Sequence, residues 1–367
     1  MKKISLITIF DVPNFGTYLQ TLATAVIFQK FGAKVEVVHY ERPFKNTRLL
    51  RKNKFVRGIY YAYFWLRGWR GGLFMYRCRS FVAKYTSITH TYFSVGELES
   101  NPPKADIYVT GSDQVWNTSH NQGVERVYYL SYAPLGCKKY SYAASIGQDI
   151  IPEEHIKETQ LYLSQYDAIS VREDKAVDLL KKIGIQATQV LDPTLLLDKT
   201  QWLKYANKRL VSEDYLLVYS VEPTEFDQKV SDVAKHIAKV KGLKIVSVSN
   251  YGECKRIPDC DIYFDYALPQ YYLSLMAYAA FVVVSSFHGT AFAINFNKPF
   301  LTITPGTFSS RIASLLALTG LNERRISGLN DMNNDLLESN INYSRVNDIL
   351  GENRNQSIQF IKKNILG

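Results

Sequence analysis

The chain has 367 residues, 46% hydrophobic and 21% charged, the composition of an ordinary globular protein long enough for about two domains. No run approaches the roughly 18 apolar residues of a membrane span, and four cysteines without zinc-site spacing are too few for a disulfide scaffold, so the cytoplasm is the expected compartment. The formal net charge of +10 is concentrated: residues 42–96 hold twelve Lys and Arg and no Asp or Glu, which leaves the rest of the chain near neutral.

The N-terminal segment carries two lysines and an apolar run. The run is short, meets Asp11 and lacks a small-residue cleavage site, so it reads as a buried strand over Lys3–Ile9 and not as a signal peptide. A loop over Phe10–Gly16, a helix over Thr17–Phe31, Gly32 and a strand over Lys34–His39 make a βαβ unit with a right-handed crossover. The basic, aromatic segment 42–96 interrupts the pattern. It resumes with strands Asp106–Thr110 and Lys139–Ala144, helix Pro152–Gln165, strand Ala168–Val171, helix Glu173–Ile183 and a short strand Thr188–Leu191. Leu191–Asp198 reads as an interdomain connection. A second set follows: strand Tyr215–Val221, helix Glu225–Val240, strand Leu243–Ser249, helix Pro269–Ala280, strand Phe281–Val284 and helix Thr290–Asn297, stopped by Lys298-Pro299. A polar stretch over Asn330–Asn342 precedes a last helix near Asn347–Lys363.

The expected fold is therefore α/β, with two Rossmann-like domains facing a cleft. The first spans 1–198 with 42–96 as an insertion, the second spans 199–345, and a C-terminal helix over 346–367 packs back on the first. Strand tips gather ligands in open α/β sheets. The loops expected at such tips are Asp11–Gly16, Gly111–Asn117, Ser145–Gly147, Val171–Asp174, Asn250–Gly252 and Ser285–Gly289.

Asn14-Phe-Gly-Thr-Tyr-Leu-Gln20 places Gly16 at a strand-to-helix turn, where backbone can approach a ligand, and supplies the amides of Asn14 and Gln20. It reads equally as a helix cap with a surface glutamine, and it is not a dinucleotide fingerprint. Gly111-Ser-Asp-Gln-Val-Trp-Asn117 offers Ser112, Asp113, Gln114, Trp116 and Asn117 to a sugar, or forms a structural turn with a core tryptophan. Arg172, at a strand end, suits a carboxylate or phosphate, or an ion pair with a nearby acid. In Ser285-Ser286-Phe287-His288-Gly289-Thr290 a strand-to-helix turn sets backbone N–H groups and the positive end of a helix beside one imidazole, an arrangement that binds an anion and moves a proton. Of the six histidines, His155 and His236 lie in polar helical patterns, His39 ends a strand and His90 sits in a polar loop; His120 is the main rival to His288.

Taken in order, Asn14–Gln20, Gly111–Asn117, Tyr142-Ala-Ala-Ser-Ile-Gly147, Ser170–Asp174, Leu191-Asp-Pro-Thr-Leu195 and Ser286–Phe292 resemble the polysaccharide pyruvyl transferase family, from Ile4 to about Arg325. The resemblance implies a fold similar to the two-domain GT-B glycosyltransferases. It also implies transfer of a pyruvyl group from phosphoenolpyruvate to a saccharide as a cyclic ketal, in capsule, exopolysaccharide or cell-wall glycan biosynthesis. Better-described branches carry an arginine two residues before the motif histidine; Ser286 stands there in this chain. The donor arginine is then expected elsewhere, at Arg172 or at Arg311, which follows the Gly/Ser-rich loop Pro305–Ser310. Ser286, Gly289 and Thr290 would complete the donor site at the helix start.

Phosphoenolpyruvate carries a carboxylate and a phosphate and calls for guanidinium groups and a helix N-terminus. Ketal formation requires a proton at C3 and removal of two hydroxyl protons in turn, work for a histidine with a pKa near ~6.5. No step requires a metal or a cofactor; phosphoenolpyruvate is a co-substrate. The acceptor implied by the family is a hexose diol, such as the 4,6-hydroxyls of galactose or glucose. The basic segment interleaves its cations with aromatic residues such as Tyr60, Trp65 and Trp69. That pattern is expected to dock on the anionic inner membrane face, where a lipid-linked saccharide is presented. No nucleic-acid module accompanies it. Two alternatives stand. One is a GT-B glycosyltransferase with Glu323 or Asp265 on a nucleotide ribose, and the other is a non-catalytic saccharide-binding protein in which His288 is dispensable.

Overall fold

A computed structural model describes residues 1–10, 12–41, 71–222, 224–250, 256–304, 310–332 and 334–367. Residues 42–70 of the basic segment and 305–309 of the loop before Arg311 lie outside the described residues. The chain divides into two compact units. The first comprises Met1–Val12, Thr17–Pro193 and Gln356–Gly367, and the second Pro13–Gly16 and Thr194–Asn355.

The first unit is built on a parallel sheet of β1 (Lys3–Ile7), β2 (Lys34–Tyr40), β3 (Ser87–Tyr92), β4 (Ile107–Thr110) and β5 (Lys138–Ser141), ordered β3-β2-β1-β4-β5. Single bridges at Tyr140–Ala168 and Ala144–Val171 continue it toward the short pair β6 (Ser170–Val171) and β7 (Thr188–Gln189). Helix Phe15–Lys30 connects β1 to β2. It begins two residues before Thr17, because Asn14 accepts the Gly16 N–H and starts the turn early. His90, expected in a loop, lies in β3. This edge strand is half-exposed and polar (Ser-Ile-Thr-His-Thr-Tyr), so it lacks the apolar run that marks a buried strand. The C-terminal segment is tied down within the same unit: Leu191 donates its N–H to Ser357 Oγ at 2.9 Å, and Lys362 Nζ sits 4.8 Å from the Phe31 ring.

The second unit has a six-stranded parallel sheet, β8 (Tyr215–Tyr219), β9 (Lys244–Val248), β10 (Ile262–Phe264), β11 (Phe281–Val284), β12 (Phe300–Ile303) and β13 (Arg325–Ile326), ordered β10-β9-β8-β11-β12-β13. β10, β12 and β13 are additional to the strands expected from the sequence. Counted from the first strand of each sheet, the two orders follow the same 3-2-1-4-5 scheme, and the second extends to 6, which is the Rossmann arrangement. The strand order reverses between β1 and β4 in one unit and between β8 and β11 in the other. Alternation sorts the faces of the second sheet. Leu216 and Val218 join Val230, Val233 and Ile237 of helix Thr224–Lys241 in one core, whereas Tyr219 meets Tyr272 of helix Pro269–Tyr278 at 5.2 Å between ring centroids. Among the described residues no helix is long and apolar enough to cross a membrane.

Candidate active site

β11 ends at the reversal point of the second sheet, and helix Phe287–Asn295 starts three residues later, earlier than the expected Thr290. The reason is a serine cap. Ser286 is extended (φ −113°, ψ 153°), and its Oγ accepts the Gly289 N–H at 2.9 Å. A Cβ on Gly289 would lie 2.8 Å from that Oγ and 2.9 Å from Val284, so the glycine lets the cap close against the strand. His288 is therefore the second residue of the helix, 7% exposed, with its ring edge-on to Phe287 at 5.2 Å. Gly289 and Thr290, expected at the donor anion, are engaged at the start of the helix. The Gly289 N–H is held by Ser286 Oγ, the Thr290 N–H donates to Ser286 O at 3.0 Å, and the fully buried Thr290 hydroxyl also donates to that carbonyl. Ser286 likewise serves the cap.

Pro13–Gly16 is the seat of the imidazole. Asn14 Oδ1 accepts the Gly16 N–H at 2.8 Å. A Cβ built on Gly16 would fall 2.0 Å from His288 Nδ1 and 2.2 Å from its Cγ, so the ring packs directly on the glycine backbone. Phe15 beside it stacks on Tyr272 at 4.5 Å and lies 5.3 Å from the Tyr219 ring. Gln20, expected toward the acceptor, is fully buried; its amide donates to Thr8 Oγ1 at 2.9 Å and to the Ile9 carbonyl at 3.3 Å, which fixes the chain leaving β1.

In the first unit the expected residues collect around Arg172. Its fully buried guanidinium donates to Asp192 Oδ2 at 2.9 Å and to Ser112 Oγ at 3.3 Å, and lies 3.7 Å from Asp113 and 3.6 Å from Glu173. Burial opposes the charge, but Asp192, Asp113 and Glu173 outweigh it and hold the pKa above the ordinary arginine value. Ser112 Oγ donates to Asp192, and Asp113 Oδ2 accepts from Thr17 Oγ1 at 3.0 Å. The alternative of an internal ion pair thus describes Arg172. Trp116 is 2% exposed, donates Nε1 to the Tyr128 carbonyl at 3.0 Å and stacks on Tyr129, so it is a core tryptophan and not an open sugar platform. Asn117 caps the short helix Thr118–Asn121 and donates to Gln114 Oε1 at 2.7 Å, while His120, in that helix, is exposed. Arg311 is half-buried in the first turn of helix Ser310–Thr319. Of the two acids considered for a nucleotide ribose, Asp265 is paired with Arg256 and Glu323 lies 3.4 Å from Arg324.

Phe15, next to Gly16, packs on Tyr219 and Tyr272, and Tyr219 donates to Asn250; none of these four is among the site residues expected from the sequence. Strand alternation could have turned Tyr219 toward this face, and the position after β9 pointed to Asn250; the convergence of Phe15 on Tyr272 is invisible along the sequence.

The sequence model of the polysaccharide pyruvyl transferase family matches residues 14–307, a span that begins at Asn14 and contains Gly16, Arg172 and His288. The chain belongs to that family. No curated protein is a significant match. Among solved structures, the chain is similar to the UDP-GlcNAc 2-epimerase from Neisseria meningitidis bound to UDP-GlcNAc, with TM-score 0.55 and 10% identity, covering 99% of this chain and 100% of that one. The Methanocaldococcus jannaschii UDP-GlcNAc 2-epimerase gives 0.53 and 13% over 95% and 92% of the two chains. Arabidopsis thaliana UGT89C1, complexed with UDP-L-rhamnose, gives 0.51 and 10% over 99% and 95%. Likeness at this identity defines the fold, which is GT-B-like with two Rossmann-like units.

Proposed function

We propose that the protein transfers the enolpyruvyl group of phosphoenolpyruvate to a saccharide diol, forming a pyruvate ketal in capsule, exopolysaccharide or cell-wall glycan biosynthesis. The observation that carries this reading is the family match over 14–307, which encloses a buried histidine at the reversal point of a Rossmann-like sheet, where such folds bind ligands. In the proposed chemistry one sugar hydroxyl bonds to C2 of the enol and gives up its proton, while C3 takes a proton. The second hydroxyl then gives up its proton and bonds to C2 as inorganic phosphate leaves with the C2–O electron pair. His288 is the group assigned to donate and accept these protons, with its ring aimed by Gly16.

Arg311 is the guanidinium we assign to the donor anion. Arg172 is assigned a positioning role through Asp113 and Asp192, because its guanidinium is buried among carboxylates. Asn14 acts through Gly16. The acceptor is proposed to be lipid-linked and met at the cytoplasmic membrane surface, with the acid-free segment 42–96 drawn to anionic lipid.

Phosphate release from phosphoenolpyruvate, dependent on an added aryl or lipid-linked hexoside, tests the assignment. His288→Ala should lower the rate by roughly 10²–10⁴-fold with the fold intact. Wild-type turnover in that variant would remove His288 from the chemistry. Release that never requires a saccharide would remove ketal formation.

A further inference from the structure

The second unit holds a buried hydrogen-bond donor that none of its described residues satisfies. Asn250 lies two residues past the end of β9 and is 3% exposed. Its Oδ1 accepts from Tyr219 Oη at 3.3 Å, while its Nδ2 is buried with no partner among the described residues. Tyr272 Oη, also fully buried, has none either among the described residues. Folded proteins leave few buried polar atoms unpaired, because each has given up water without replacement. Two such groups beside one tyrosine point to a place that suits an oxygen from outside the chain.

Register locates that place. Val218 pairs with Ser247, and Tyr219 pairs with Val284. Asn250 and Ser286 therefore stand at the same height beyond the sheet, one on each side of the end of β8. With strands about 4.8 Å apart, they are on the order of 10 Å from each other. Even residues of β9 and odd residues of β8 share one sheet face, the face of Tyr219 and Tyr272. Phe15 stacks on that pair, and the adjacent Gly16 seats His288. One four-residue segment thus ties the open amide to the imidazole.

The chemistry of the donor selects its ligand. The amide is neutral, and the group that donates to it is a neutral phenol. A carboxylate or phosphate draws guanidinium or ammonium groups, whereas a saccharide hydroxyl or ether oxygen suits a neutral amide. We propose that Asn250 donates from Nδ2 to an oxygen of the saccharide and so fixes which acceptor is presented to His288. The proposal rests on the pyruvyl-transfer reading for its substrate class.

The test measures saccharide binding and turnover separately. Aryl galactoside and aryl glucoside are titrated by calorimetry into wild type, Asn250→Ala and Asn250→Asp, and phosphate release gives KM for each substrate. Asn250→Asp keeps an oxygen for Tyr219 and removes the donor. Both variants should weaken binding of the better hexoside about 10-fold and leave the KM for phosphoenolpyruvate within about twofold, while Tm of the Ala variant falls by a few degrees because Tyr219 loses its acceptor. Unchanged hexoside affinity in both variants overturns the proposal. So does a lowered Tm without an affinity change, which would mean that the amide serves only the fold. Absence of hexoside binding to the wild type overturns it as well. If hexoside binding depends on Asn250 but no phosphate is released, the pyruvyl reading fails and the Asn250 assignment stands. If phosphate is released indifferently to Asn250, only the assignment fails.

Discussion

Gly16→Ala is the smallest change that challenges the proposed site. The added Cβ would fall 2.0 Å from His288 Nδ1, and ordinary contact begins at 3.4 Å, so ring and backbone must separate by roughly 1.4 Å. A misplacement of about 1 Å at a reacting group costs on the order of 10²-fold in rate. Overpacking of this size costs about 1–3 kcal/mol of stability. Alanine in place of helical glycine returns up to ~1 kcal/mol through backbone entropy, so the net loss should be about 0–2 kcal/mol. We expect kcat for phosphate release to fall about 100-fold while KM for phosphoenolpyruvate changes little. The decisive comparison is a double-mutant cycle. With His288→Ala in place the ring clash is gone and only the contact with the remaining Cβ at 2.6 Å is left, so Gly16→Ala should then cost clearly less in urea denaturation. A destabilisation equal in both backgrounds, or wild-type kcat in the single variant, would refute the claim that Gly16 positions the imidazole.

Other outcomes follow from the same structure. Arg172→Ala leaves the carboxylate of Asp192 buried without its cation and should cost about 3–5 kcal/mol in urea denaturation. Arg172→Lys should recover only part, since one ammonium cannot serve Asp192, Asp113 and Glu173 together; a loss below about 1 kcal/mol in the Ala variant contradicts the hub role. Burial, aided by Lys199 and Arg209, pushes Lys298 down to about 8. Below that pH its ammonium is penalised in the folded state, and from about 8 to the ordinary 10.5 the unfolded chain holds a proton that the folded chain has released, so stability rises with pH in that window. Lys298→Met should exceed wild type in Tm at pH 7, and the gap should close by pH 10; a constant gap argues against the depressed pKa. For membrane docking, the helix over 71–83 turns Leu73 and Tyr76 outward, Tyr76 being 60% exposed, with Arg77 between them and Lys84. Co-sedimentation should require anionic vesicles, weaken with salt and drop when Arg48, Arg51, Lys52 and Lys54 are neutralised. Equal recovery with neutral vesicles would exclude electrostatic docking.

The strands legible in the sequence are those whose physics is local. β8 and β11 are Tyr-Leu-Leu-Val-Tyr and Phe-Val-Val-Val, buried throughout, and parallel strands covered on both faces read as unbroken apolar runs. β3 was hidden because an edge strand can be polar, and β13 because two residues carry no periodicity. The histidine was legible from its strand–turn–helix context. Its helix starts three residues before the expected Thr290; in the sequence, apolar Phe287 masks the serine cap. Arg172 shows the limit of local reading: a guanidinium before a helix suits an anion or an acid equally well, and only tertiary burial against Asp113 and Asp192 separates the two. The seat of His288 on Gly16 joins residues from opposite ends of the chain, and no window of sequence contains both.

That seat has a consequence for synthesis. Pro13–Gly16 belongs with a unit whose remaining residues begin at Thr194, and the histidine it supports follows much later. At about 5–20 residues per second, translation leaves Phe15 and Gly16 waiting roughly 15–55 s before His288 is made. During that interval Phe15 has neither Tyr219 nor Tyr272 to cover it. The second unit is therefore one of the last parts of the chain that can finish folding, and a separately expressed fragment 194–355 would carry the imidazole without the glycine beneath it. Synthesis of the segment that carries His288, not emergence of the first sheet, sets the earliest moment at which this site can exist.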